Sequence, residues 1–169
     1  MCIRDSGTPV GEAAVAWGME VIGCVERPSP ARAAALEDRG IRLTDFDEVI
    51  STADYVSIHV PLKDSTHNLI DAGVLDRMKP GSFLINLGRG GVVEEDALYM
   101  ALTEGDRLRG AALDVHREEG EGRLSPLASL PNVILTPHIG SMTVDTQREI
   151  GRRVVEIVDG FVLDHPELG

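Results

Sequence analysis

The chain has 169 residues, 43% of them hydrophobic, and a formal net charge of −12. That composition suits one globular domain with its own core and disfavours nucleic acid or an anionic membrane surface as a partner, since both would be repelled. Its two cysteines, Cys2 and Cys24, give neither a disulfide framework nor a zinc site and fit a reducing cytoplasm, and no run approaches the ~18 apolar residues that would span a bilayer.

The first six residues, MCIRDS, are polar and charged where an apolar strand should stand, so residues 1–6 read as a non-native-looking leader. A helix is predicted at roughly 8–17, feeding a strand in EVIGCV (20–25). SPARAAALEDRG follows with Ser29 placed to cap, Pro30 at the first helical position and Gly40 just past the end, the expected asymmetry of start and stop signals. TDFDEVISTA opens with Thr44 and carries Asp47 three residues on, read as a short capping box. Buried strands are predicted in DYVSIHV (54–60), SFLINL (82–87), LRGAALDV (108–115) and NVILTP (132–137). Between them EEDALYMALTEG is a helix ending at Gly105, and TVDTQREIGRRVVEIVDGFVL is a long amphipathic helix with Ile150, Val154, Ile157, Val158 and Phe161 along one side.

Alternating strands and helices with nearly continuous apolar strands argue for an α/β domain with a doubly wound parallel sheet. The helix at 8–17 lacks a preceding strand, so the first strand is expected to be missing, with one domain over 7–163 and a tail at 164–169. In such sheets ligands bind outside the carboxyl ends of the strands, which directs attention to Glu26 and Arg27, Val60 and Pro61, Gly88 to Gly91, Asp114 to Glu119, and Pro137 to Ser141. Arg89, Glu119 and His138 among them make an acid/base set: a fixed cation to fork a carboxylate ligand, a carboxylate, and an imidazole that moves a proton near neutral pH. His59, His67, His116 and His165 read as structural or surface groups, and Met19, Met78, Met100 and Met142 as packing residues rather than metal ligands.

The segments LINLGRGGVVEEDAL, GAALDVHREE and LPNVILTPHIGSMT, in this order and spacing, resemble three signature segments of the D-isomer-specific 2-hydroxyacid dehydrogenases. YVSIHVPLKDSTHNLI and LDRMKPGSFLIN are also similar to the nucleotide-binding domain of that family, so the resemblance runs from Gly7 onward. It implies a Rossmann-like fold, an NAD cofactor, and hydride transfer between the cofactor and C2 of a small 2-hydroxy or 2-oxo acid. Arg89 would bind the substrate, His138 would be the acid/base and Glu119 would support it. Cofactor contacts would come from Gly7, Glu26, Val60, Pro61, Leu87, Gly88, Arg89, Asp114, His138 and Gly140.

The departures are also specific. His116 and Gly120 stand where the family usually has phenylalanine and proline, which leaves Glu118 a rival to Glu119. The first two glycines of a G-x-G-x-x-G turn would fall at Cys2 and Arg4, leaving Gly7 as the third. Val25 aligns best with the ribose-binding acid, with Glu26 beside it, and Arg27 could take a 2′-phosphate instead; NAD is preferred and NADP is the alternative. The resemblance further implies a homodimer and a second, substrate-binding domain not contained in these residues, so turnover by them alone is not expected. A dinucleotide-binding sensor or corepressor-like module is the reading from another class, disfavoured because it needs no acid/base pair.

Overall fold

A computed structural model describes residues 6–104, 107–120, 122 and 124–164. The chain forms two compact units, Met1–Pro137 and His138–Gly169, which are taken separately. The first contains α1 (Gly7–Ala16), β1 (Val21–Gly23), α2 (Pro30–Glu37), β2 (Ile41–Leu43), α3 (Phe46–Thr52), β3 (Tyr55–Ile58), α4 (Ala72–Arg77), β4 (Ser82–Asn86), α5 (Glu95–Thr103), β5 (Leu108–Leu113) and β6 (Val133–Leu135). The second is built on α6 (Val144–Asp164).

All strand pairing is parallel, as the alternation predicts: β1 pairs with β2, and β3, β4, β5 and β6 follow one another in a four-stranded sheet. Among the described residues no strand joins the two sheets, and an apolar cleft lined by Cys24, Phe46, Val56, Ile58, Val60 and Ile70 lies beside β3. Cys2, Arg4, Gly105 and His165 lie outside the described residues.

Leu84, Leu98, Val92 and Met78 are fully buried in the main core, with Ile58 and Leu113 alongside. The central strands are thus the apolar runs read from the sequence. A smaller cluster of Val25, Leu36 and Ile41 holds the β1–β2 end. There α1 comes close because residue 11 is glycine: a Cβ on Gly11 would lie 2.7 Å from Ile41 Cδ1.

Two expectations are corrected and one strand is added to those read from the sequence. β2 was not foreseen, because only three residues form it and Arg42, in its middle, is exposed. The cap of α3 is Asp45 rather than Thr44: Asp45 Oδ1 accepts the Glu48 amide at 2.7 Å, while the Thr44 amide still donates to Gly23 O at 2.9 Å as a continuation of the sheet. Met78 packs as expected, but Met19, Met100 and Met142 are exposed. By contrast, α2 begins as read, with Ser29 Oγ accepting the Arg32 amide at 3.2 Å and Gly40 leaving the helix at φ +77°.

On α6 the stripe of Ile150, Val154, Ile157, Val158 and Phe161 is exposed, and Glu149 pairs with Arg152 and Arg153 on the same helix. Among the described residues no helix is long and apolar enough to cross a membrane, and no cluster of His, Cys, Asp and Glu could hold a metal ion.

Candidate active site at the strand ends

The loop after β4 is shaped by one buried amide. Asn86 is 1% exposed; its Oδ1 accepts the Gly88 amide at 3.1 Å and its Nδ2 donates to Arg89 O at 3.0 Å. The chain therefore turns tightly straight after the strand and presents Arg89 at the surface, where Nη1 donates to Gly88 O at 2.8 Å. Gly88 lies against β3, since a Cβ there would be 3.2 Å from Val60 O and 3.3 Å from Ile58 O. Gly91, at φ +77°, turns the chain toward α5. Asn86 was not singled out from the sequence; its position as the last polar residue of an apolar strand was the available signal.

The adjacent end of β5 carries the acidic groups. Asp114, buried, donates its amide to Asn86 O at 3.0 Å, and its Oδ1 accepts from Thr136 Oγ1 at 2.5 Å. His116 is half-buried, in keeping with the structural one of its two readings. Its Nε2 donates to Thr136 O at 3.0 Å, which places the ring proton on that nitrogen, and its Nδ1 is buried with no partner. The His116 amide donates to Glu119 Oε1 at 3.2 Å, so the Glu119 carboxylate folds back over its own loop. Gly120 follows at φ +137°, a conformation closed to the proline usual there in the resembled family.

These two loops touch. A Cβ on Gly90 would lie 1.8 Å from His116 O, so the segments bearing Arg89 and Glu119 run backbone against backbone. A buried carboxylate adds a second tie: Glu95, in the first turn of α5, accepts the Arg117 amide at 2.5 Å and the Ser125 hydroxyl at 2.8 Å.

At the end of β1, Val25 is buried and Glu26 and Arg27 are exposed, so Glu26 is the acid available to a ligand there. Gly7 opens α1 and is buried. Val60, Pro61 and the exposed Leu87 line the ends of β3 and β4. His59, next to them, is held between Ser6 Oγ, 3.1 Å from Nδ1, and Ser57 Oγ, 2.9 Å from Nε2. Burial pushes its imidazole below the ordinary 6.5. His138 and Gly140 belong to the second unit. His138 is exposed and has φ +55°, the left-handed region, which is uncommon for non-glycine residues and in which histidine is among the more frequent.

Residues 5–140 match the family model described as D-isomer specific 2-hydroxyacid dehydrogenase, NAD binding domain. The chain belongs to this family. It is 42% identical over 154 residues to D-3-phosphoglycerate dehydrogenase 2, chloroplastic, of Arabidopsis thaliana, covering 91% of this chain and 24% of that protein. It is 36% identical over 152 residues to hydroxypyruvate reductase of Thermotoga maritima, covering 89% of this chain and 47% of that one. Among solved structures, D-lactate dehydrogenase from Aquifex aeolicus complexed with NAD and lactic acid superposes with a TM-score of 0.82 at 33% identity, over 95% of this chain and 51% of that one. The chain thus spans between about a quarter and half of the length of these relatives.

An NAD-binding domain of Rossmann-like, doubly wound type is consistent with the donor set. The N-terminus of α1 at Gly7 would suit a pyrophosphate, with Pro9 contributing no amide to that turn, the exposed Glu26 would suit ribose hydroxyls, and Asp114 would suit an amide at the end of β5.

Proposed function

We propose that this chain is the nucleotide-binding part of an oxidoreductase that interconverts a D-2-hydroxy acid and its 2-oxo acid with NAD(H). The observation that carries the reading is the backbone contact of Gly90 with His116, because it sets a permanent cation and a carboxylate on neighbouring loops at the carboxyl ends of β4 and β5. Bound NAD(H) would supply or accept the hydride at C2 of the acid.

Arg89 is assigned to the substrate's carboxylate, since a guanidinium forks a carboxylate through two parallel hydrogen bonds. His138 is assigned to the proton on the C2 oxygen, given in reduction and taken in oxidation. Glu119, whose Oε1 accepts the His116 amide, is assigned to favouring the protonated imidazole, with Glu118 beside it as the rival. Glu26 is assigned to the adenosine ribose, which favours NAD; Arg27 beside it is the group that would admit NADP. The substrate in this reading is a small acid; the two-cysteine composition supports a reducing cytoplasm and the family resemblance a homodimer.

The test is performed on the complete enzyme that carries this chain, with NADH oxidation followed in the presence of glyoxylate, hydroxypyruvate and pyruvate. Turnover of at least one of them, lost in Arg89→Ala and in His138→Ala, is the expected result. NADH binding without turnover of any 2-oxo acid would instead favour the sensor module.

A further inference from the structure

Glu95 has no part in the chemistry just assigned, yet it is a carboxylate buried to 7% exposure. Taking such a group out of water costs several kcal/mol unless its oxygens are met by donors. Both are: Oε1 accepts the Arg117 amide at 2.5 Å and Oε2 accepts the Ser125 hydroxyl at 2.8 Å. Ordinary helix-end stabilisation does not require this arrangement, because an exposed acid in the first turn serves the helix dipole equally well. Asp96, next in the chain, is such an exposed acid and holds the Arg117 side chain at 2.9 Å.

The partners of Glu95 bracket Glu119 in the chain. Arg117 is two residues before it, Ser125 is six after it, and the residue preceding Arg117 is His116, whose amide holds Glu119 Oε1. On its other side His116 is fastened through its ring to Thr136 O and abuts Gly90. We propose that Glu95 is a positioning residue for the reaction: from α5 it clamps both arms of the loop and so fixes where the Glu119 carboxylate lies relative to the Arg89 loop. This inference rests on the role proposed for Glu119. It assigns to the VVEED stretch, which follows Arg89 after Gly90 and Gly91, the task of holding the second loop against the first.

The experiment uses the complete enzyme and compares Glu95→Ala, Glu119→Gln and the double variant. Glu95→Ala should lower kcat for 2-oxo acid reduction about tenfold, a loss of the size expected for hydrogen bonds to a charged group, with KM for NADH within about twofold of wild type. It should also move the pH profile of kcat/KM in the direction that Glu119→Gln moves it. In the Glu119→Gln background the same substitution should have little further effect, because residues acting through one group are not additive.

Equal effects of Glu95→Ala in both backgrounds would make Glu95 a structural residue only and overturn the inference while leaving the Glu119 assignment standing. A Glu119→Gln enzyme with an unmoved pH profile would overturn both. Should Glu95→Ala not fold, Glu95→Gln replaces it. That variant keeps an acceptor for the Arg117 amide, so it should retain the wild-type pH profile and slow hydrogen exchange at Arg117; a profile shifted as in Glu119→Gln while that amide stays protected would refute the clamp.

Discussion

Gly90 and His116 meet so closely that a methyl group on residue 90 would lie 1.8 Å from the His116 carbonyl oxygen. No real Cβ tolerates that distance to backbone, so Gly90→Ala must push the Arg89 loop and the Glu119 loop apart. The expected loss of stability is about 1–3 kcal/mol, the usual cost of overpacking, read as a lower urea midpoint for the chain. In the complete enzyme kcat/KM should fall by about two orders of magnitude, since displacement of a reacting group by ~1 Å has that effect. Gly151→Ala is the control: it lies in α6 with nothing within 4 Å of a new Cβ and should gain up to about 1 kcal/mol in helix propensity. Equal midpoints for the two variants would show that the loops are not in contact in solution.

Arg89→Lys separates charge from geometry. Arg89 is exposed and its side chain bonds only locally, to Gly88 O, so thermal unfolding should stay within about 0.5 kcal/mol of wild type. Lysine retains the charge but loses the planar fork, and kcat/KM for the 2-oxo acid should fall by at least about a hundredfold in the complete enzyme. A loss of less than about threefold would return Arg89 to the class of solvated strand-end cations.

The parts of the fold that were legible are those where burial and periodicity agree. SFLINL and LRGAALDV read as strands because Leu84 and Leu113 are core residues between small or apolar neighbours. Arg89 is legible because it follows a strand within LINLGRGGVVEEDAL, a segment that resembles a family signature; alone it would read as a solvated strand-end cation. β2 was lost because three residues around an exposed Arg42 leave no pattern to read. Glu95 is not legible because a polar side chain is silent in sequence about whether it faces water or a buried donor, and His116 shows only as a departure from the family pattern, not as a residue tied to Thr136. The importance of His116 and Glu95 follows from partners 20 to 30 residues away, and long-range pairing is what a single sequence does not display; the Asn86 side chain is tied to the next turn, through Gly88 and Arg89.

Burial of His59 yields a pH prediction for the chain itself. Its imidazole is held below the ordinary value of 6.5, so the unfolded chain binds this proton at a higher pH than the folded one does. Above about pH 6.5 both forms are neutral at this site and it adds no pH dependence. As pH falls through 6.5 toward the folded value the unfolded state gains its proton first, and stability is lost. His59→Asn does not titrate in this range, so the stability difference between wild type and this variant should shrink from about pH 7.5 to about pH 5 in urea unfolding. Parallel stability curves for the two proteins would mean that solvent reaches the ring despite Ser6 and Ser57 on either side of it.

The rivalry between Glu118 and Glu119 is decided by pH profiles in the complete enzyme. A carboxylate serving an imidazole favours the protonated ring, so replacing it with an amide weakens that form. Reduction of the 2-oxo acid requires the imidazolium of His138, and with Glu119→Gln its activity should fail at a lower pH than in wild type. Oxidation of the 2-hydroxy acid requires the neutral ring, so its rising limb should move to lower pH as well. Both limbs shift in one direction because one ionisation governs both. Glu118→Gln should leave them in place if the serving carboxylate is Glu119, whose Oε1 accepts the His116 amide. If Glu118→Gln moves the limbs and Glu119→Gln does not, the serving carboxylate is one residue earlier in the loop. If neither moves them, proton transfer in this enzyme does not depend on a carboxylate–imidazole pair.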